Sequence, residues 1–114
     1  MNTKCIFNYD DFSDRLFISC KKESDIVYGS VRVLNLTLDF TTDNRIVNVE
    51  IKDASKYLQS IGVNPDILNK LTDAQVIFEQ KRDGYLIYFI LQAGNHIERI
   101  PYNIISTEQT LAPS

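Results

Sequence analysis

Apolar and polar residues alternate with period two along most of this chain, in short segments parted by polar turns, which predicts strands rather than long helices. Residues 4 to 9 and 15 to 20 flank Asp10-Asp-Phe-Ser-Asp14 and predict a hairpin. One face of it carries Cys5, Phe7 and Tyr9 from the first arm and Leu16, Ile18 and Cys20 from the second. Matching those apolar sets pairs Tyr9 with Leu16, Phe7 with Ile18 and Cys5 with Cys20, the best of three registers that keep the same faces. The opposite face, Ile6, Asn8, Phe17 and Ser19, is mixed, as in a half-buried antiparallel pair.

After a solvated loop at residues 21 to 25, a long β-rich run extends from Ile26 to Thr41. Its alternation changes phase: Val31 and Val33 fit one face, whereas Leu34, Leu36, Leu38 and Phe40 fit the other. A bulge or break near Val33-Leu34 accounts for the change with the fewest assumptions. A turn at residues 42 to 45 leads into a strand over residues 46 to 52, and the apolar faces pair Phe40 with Val47, Leu38 with Val49 and Leu36 with Ile51. Asp39 then lies opposite Asn48 and diagonal to Glu50. Asp53 is placed to cap a helix over Ala54 to Ile61, and Gly62 follows as the residue that accepts a left-handed conformation. Asn64-Pro65 opens a second short helix. The remainder reads as a three-strand meander: residues 75 to 82, residues 85 to 92 and His96 to Tyr102. Its turns are Asp83-Gly84 and Gly94-Asn95, and Pro101 marks an edge strand or a strand end. The first turn sets Gln80 opposite Ile87, Phe78 opposite Phe89 and Val76 opposite Leu91.

The fold class this predicts is α+β: an antiparallel sheet of about six or seven strands built from hairpins, with two short helices between its N- and C-terminal halves. At 114 residues the chain is one domain, over residues 1–105, followed by a polar, frayed tail at 106–114. The apolar fraction of 44% suffices for one core. Twelve basic residues against fifteen acidic ones give a net charge of −3, which speaks against nucleic acid as a partner. No apolar run reaches the roughly 18 residues of a membrane span, and Met-Asn-Thr-Lys-Cys is not followed by a leader's apolar core. A cytoplasmic location is the expectation.

Candidate chemistry is sparse. Asp39, Glu50 and Asp53 are the only carboxylates the predicted pairing brings toward one another, and such a set can gather a cation or move a proton. Equally, outward carboxylates alternating on a strand pair, followed by a helix cap, need no function. Asp10, Asp11 and Asp14 lack the Gly and bidentate Glu spacing of a calcium loop and are expected to stabilise their turn. His96, the single histidine, has no Ser or Cys motif beside it. Cys5 and Cys20 are expected to pack as small apolar residues, with a cross-strand disulfide as the alternative. No catalytic residue, cofactor site or metal site is assigned on this pattern. The meander's second face, Ile77, Leu86, Tyr88 and Ile90, is too apolar to be simply solvated and predicts a second packed layer or an interface.

Residues 9 to 56 resemble a small prokaryotic family of unknown function, the domain-of-unknown-function 2283 family. The resemblance rests on Tyr9-Asp10, Asp14-Arg-Leu-Phe-Ile18, Leu38-Asp39-Phe40, Arg45-Ile-Val-Asn-Val-Glu-Ile51 and Asp53-Ala-Ser-Lys56. It departs from that pattern at Asn44 and Asn48, where the family usually has Gly; Asn44 still accepts the positive φ of a turn. The resemblance implies a small antiparallel sheet with a helix and no established activity, and the toxin-like neighbours of some members imply an antitoxin or protein-binding role. Together these readings make the chain a non-catalytic protein-interaction module, self-associating as a dimer. The alternatives are a small metal-dependent or acid–base enzyme using the outward carboxylates, and an antitoxin-like partner of a small toxin.

Overall fold

The computed structural model describes residues 5–43, 45–82 and 84–105, and within them the chain forms eight antiparallel strands in two sheets. The first sheet holds β1 (Ile6–Asp10), β2 (Arg15–Ser19), β3 (Val27–Val33), β4 (Leu36–Thr41) and β5 (Ile46–Lys52), in the order β1-β2-β5-β4-β3. Then come one α-helix, α1 (Ala54–Ser60), and a 3₁₀ helix (Pro65–Lys70). The second sheet is the meander β6 (Asp73–Lys81), β7 (Gly84–Ala93) and β8 (His96–Ile105). The architecture is therefore sheet-rich α+β, but a single sheet of six or seven strands is corrected to one of five and one of three, and the second predicted helix is a 3₁₀ turn.

The extra strand comes from the phase change at Val33-Leu34, which is a hairpin and not a bulge. Val33 pairs with Leu36 across a loop of Leu34 and Asn35, and Leu34 takes a left-handed backbone (φ 56°) while 80% exposed. A turn residue there looked like strand because Leu is a poor turn former, and only the phase marked the reversal. A separate register irregularity lies in the same hairpin, between Val27 and Gly29.

Most sequence registers survive. Tyr9 pairs with Leu16 and Phe7 with Ile18, while Leu36 meets Ile51, Leu38 meets Val49 and Asp39 meets Asn48. Phe40 pairs with Ile46 rather than Val47, because an irregularity follows Asp39. In the meander Lys81 pairs with Gly84, Phe78 with Ile87 and Val76 with Phe89. That is a two-residue slip from the expected pairing; alternation sees no difference, because a slip of two preserves both faces. Asp83, half of the expected Asp83-Gly84 turn, and Asn44 lie outside the described residues, as does the segment 106–114. Gly94-Asn95 turns as expected, with Ala93 opposite His96 and Gly94 at φ 62°, and Pro101 sits in β8, an edge strand.

Cys5 and Cys20 are not free packing residues. They form a disulfide with Sγ–Sγ 2.03 Å, one step beyond the Ile6–Ser19 pair, so the register itself brings them together.

The inner faces of both sheets share one core. Leu16, Ile18, Leu36, Val49 and Ile51 come from the first sheet, and Ile87, Phe89, Leu91 and Ile100 from the second. Ala54 and Leu58 of α1, with Ile67 and Leu68 of the 3₁₀ helix, fill the same cluster. The helix ends in a Schellman arrangement: Val63 N–H donates to the Leu58 carbonyl (2.9 Å) and Gly62 N–H to that of Gln59 (3.1 Å). The 3₁₀ helix opens as expected, Asn64 accepting from Asp66 N–H (2.9 Å) ahead of Pro65.

Candidate functional site

The carboxylates singled out in the sequence do not converge. Asp39 sits in a polar row that crosses four strands on the outer face of the first sheet. The Ser19 hydroxyl donates to Asn48 Oδ1 (2.5 Å), Asn48 Nδ2 donates to Asp39 Oδ2 (2.9 Å) and the Ser30 hydroxyl donates to Asp39 Oδ1 (2.6 Å). Both Asp39 oxygens are thus engaged, and Asn48 is the bridging residue. Glu50 lies in the next row, opposite Phe17 and Thr37, and faces Arg15 at 3.8 Å. The described residues contain no group of three or more His, Cys, Asp or Glu placed to hold one metal ion.

Asp53 does not cap α1 with its side chain. It adopts a left-handed backbone (φ 54°) and its carboxylate makes no capping bond. The cap comes from the neighbouring strand, where Arg15 of β2 lies opposite Lys52 of β5. Asp14, at the mouth of the β1–β2 loop, accepts from Ser55 N–H at Oδ1 (2.9 Å) and from the Ser55 hydroxyl at Oδ2 (2.7 Å). Its backbone carbonyl accepts from Ala54 N–H (3.0 Å). Tyr9 completes the group, donating its hydroxyl to Asp14 Oδ1 (2.6 Å). The physical job is the one expected of Asp53, satisfying the exposed amides of a first helical turn, done by a residue that must itself accept φ 57°.

This group has the look of a dyad but not its chemistry. Burial alone raises the Asp14 carboxyl, yet the hydrogen bonds from Tyr9 and from the Ser55 amide and hydroxyl more than offset it, leaving the group below its ordinary range. A carboxylate so held is a weak base and gives Ser55 no activation. Tyr9 is pushed up to about 12, first by burial and then by its bond to Asp14, so the phenol stays neutral. The Tyr9–Asp14–Ser55 group is a structural clasp between hairpin and helix.

The neighbouring acids behave as turn residues. Asp10 accepts from Phe12 N–H (3.1 Å) and from the Ser13 hydroxyl (2.9 Å). His96 lies exposed at the start of β8 with Nε2 2.6 Å from a Glu98 oxygen, a surface pair. Further ties join segments that the alternation pattern does not relate. Arg45 pairs with Asp25 and, at 3.1 Å, with Asp43, pinning the loop after β2 to the β4–β5 turn. Asn35 Nδ2 donates to the Lys52 carbonyl (2.7 Å), while its side-chain oxygen accepts from the Tyr102 hydroxyl, joining the two sheets. Tyr102 in turn stacks at 4.8 Å on Tyr57, whose hydroxyl donates to the Pro101 carbonyl (2.8 Å). Apart from the local Arg45–Asp43 pair, these ties rest on separations of 17 to 67 residues, which periodicity does not register.

The meander's outer face lies outside the core cluster of the described residues. Ile77 faces Tyr88, which faces Pro101; Ile90 faces Arg99, and Ile97 lies two pairs further along, opposite Gln92. The Arg99 guanidinium sits 4.2 Å over the Tyr88 ring centroid. Ile77 is 39% and Ile97 57% exposed, while Leu86, Tyr88 and Ile90 are half-buried. Thus Ile77, Leu86, Tyr88 and Ile90 share one face, opposite the side on which Ile87, Phe89 and Leu91 enter the core. No helix among the described residues is long and apolar enough to cross a membrane. Compared with known proteins, the chain matches no family model, no curated protein and no solved structure.

Proposed function

We propose that the protein acts by binding protein rather than by catalysis, and that its partner is a second copy of the chain docked on the outer face of β6, β7 and β8. The observation that carries this is the apolar stripe across all three strands, with Arg99 lying on Tyr88 at its centre. A sheet apolar on both faces suits the middle of a stack, because each face gains by leaving water. Among the described residues, only the inner face meets the chain's own core cluster. Tyr and Arg are also the side chains enriched where interfaces bury most completely. Two such sheets packed face to face would lie at the usual spacing of about 10 Å.

Two features favour binding over an acid–base enzyme: both Asp39 oxygens are engaged, and Asp14 is held as a weak base. The net charge of −3 keeps nucleic acid outside this reading. The reading keeps the protein in the cytoplasm, where the Cys5–Cys20 bond would be subject to the local thiol pool.

Light scattering over a concentration series tests the proposal. A dimer that dissociates on dilution, and a Tyr88→Glu variant that remains folded and monomeric, are expected. A strict monomer at every concentration, with Tyr88→Glu leaving stability unchanged, would sink it. A pull-down that returned a small toxin-like protein on the same face, and no second copy, would transfer the face to the antitoxin reading.

A further inference from the structure

The Cys5–Cys20 disulfide is not enclosed in the core. Both cysteines are half-buried and line a cleft of about 490 Å³ between the end of the first sheet and edge strand β6. Val76 and Phe78 of β6 form part of its wall, and Gln75, Lys22 and Arg45 bring polar and cationic groups to it. The loop that carries Lys22 is held in place, and so is the Arg45 side chain. Lys22 N–H donates to Asp25 Oδ2 (2.9 Å), Asp25 N–H donates back to the Lys22 carbonyl (3.0 Å), and Asp25 pairs with Arg45. Arg45 is neutralised by Asp25 and Asp43, but none of the ion pairs among the described residues involves Lys22. Its charge also acts on Asp25, but with no ion pair of its own its ammonium is the more available of the two cations lining the cleft beside an accessible sulfur–sulfur bond.

We propose that this cleft is a thiol–disulfide exchange site for small anionic thiols. A thiolate enters and bonds to the Sγ of one cysteine. The Cys5–Cys20 bond breaks, and its electron pair leaves on the other Sγ as a thiolate, which then takes a proton from water. A second small thiolate attacks the small-molecule sulfur of the mixed disulfide and releases the remaining cysteine. In sum, two small thiols are oxidised to one disulfide and the protein disulfide is reduced to two thiols. Lys22 serves twice. It draws in a carboxylate-bearing thiol, and it lowers the cost of the thiolate that leaves, since exchange runs faster when the leaving thiolate is stabilised. The cleft has room for a reagent of tripeptide size, and a small neutral thiol can enter but gains nothing from Lys22.

The test compares glutathione with 2-mercaptoethanol on the oxidised full chain in native buffer. Opening is followed by alkylation and intact mass, in the wild type, Lys22→Gln and Lys22→Glu. The ratio of the two rates cancels any change in stability that a variant brings. The expected result is that the folded wild type opens with both reagents. The glutathione-to-mercaptoethanol ratio falls about threefold or more in Lys22→Glu, with Lys22→Gln between, the size of one surface charge interaction, and added salt narrows the difference. Any of three results overturns the proposal: a bond that opens only once the chain is denatured, a ratio unchanged in Lys22→Glu, or two free thiols persisting in the air-oxidised protein.

Discussion

If Asp14 rather than Asp53 caps α1, a pair of glycine variants separates them. Both residues sit at positive φ, 57° and 54°, so Gly relieves backbone strain at each and adds similar freedom to the unfolded chain. What differs is the carboxylate. Removing it at Asp14 deletes the cap on Ser55, worth about 1 kcal/mol, and orphans the half-buried Tyr9 hydroxyl, worth about another 1 kcal/mol. These losses share one side chain and overlap in part, so Asp14→Gly should cost about 1.5–2 kcal/mol. Asp53→Gly, which gives up no capping bond, should stay within about 0.5 kcal/mol of wild type. Urea unfolding followed by far-UV circular dichroism reads both, as a shift of midpoint at unchanged slope. A cycle with Ser55→Ala should show about 1 kcal/mol of coupling to Asp14 and none to Asp53. Equal costs for the two glycine variants, or coupling to Asp53 instead, would refute the clasp.

Three further outcomes are expected. Leu34→Asn should stabilise by about 0.5–1 kcal/mol in the same urea assay, because Leu at φ 56° is strained and its side chain buries little. Tyr9, whose folded pKa of about 12 exceeds its ordinary 10.0, adds stability that is complete below pH 10 and lost as pH climbs from 10 to 12. Thermal melts of wild type and Tyr9→Phe should therefore converge over that alkaline window, and parallel curves would exclude the effect. Tyr102→Phe should cost about 1 kcal/mol by removing the donor to Asn35, with Asn35→Ala costing more, because it strips both Tyr102 and the Lys52 carbonyl of their partner.

Local pairing was legible in the sequence wherever an apolar face was complete on both arms. Cys5, Phe7 and Tyr9 against Leu16, Ile18 and Cys20 is the clearest case, and it put the two cysteines opposite each other. Alternation failed where it carries no information. It does not distinguish registers two residues apart, hence the slip in the meander. Nor does it mark a reversal made by Leu34, whose residue type argues against a turn. The Asp14–Ser55 clasp was out of reach for another reason: Asp53-Ala-Ser is a valid local cap, and only the tertiary placement of the hairpin shows which Asp does the work. Ile77, Leu86, Tyr88 and Ile90 fall on one face in sequence and structure alike, because that needs parity alone.

The polar row Ser19–Asn48–Asp39–Ser30 supplies what alternation lacks. Sliding β5 by two residues against β2 and β4 would leave every apolar side chain on its proper side, so the core alone would hardly notice. The row would notice at once, since Asn48 would lose Ser19 and Asp39 together and Glu50 or Ile46 would take its place between them. Misaligned sheets are thus penalised on the wet side of the molecule, where single substitutions are usually forgiven. Asn48→Ala should accordingly slow refolding by letting shifted pairings persist, and Ser19, Asn48, Asp39 and Ser30 should tolerate replacement as a matched set better than one at a time.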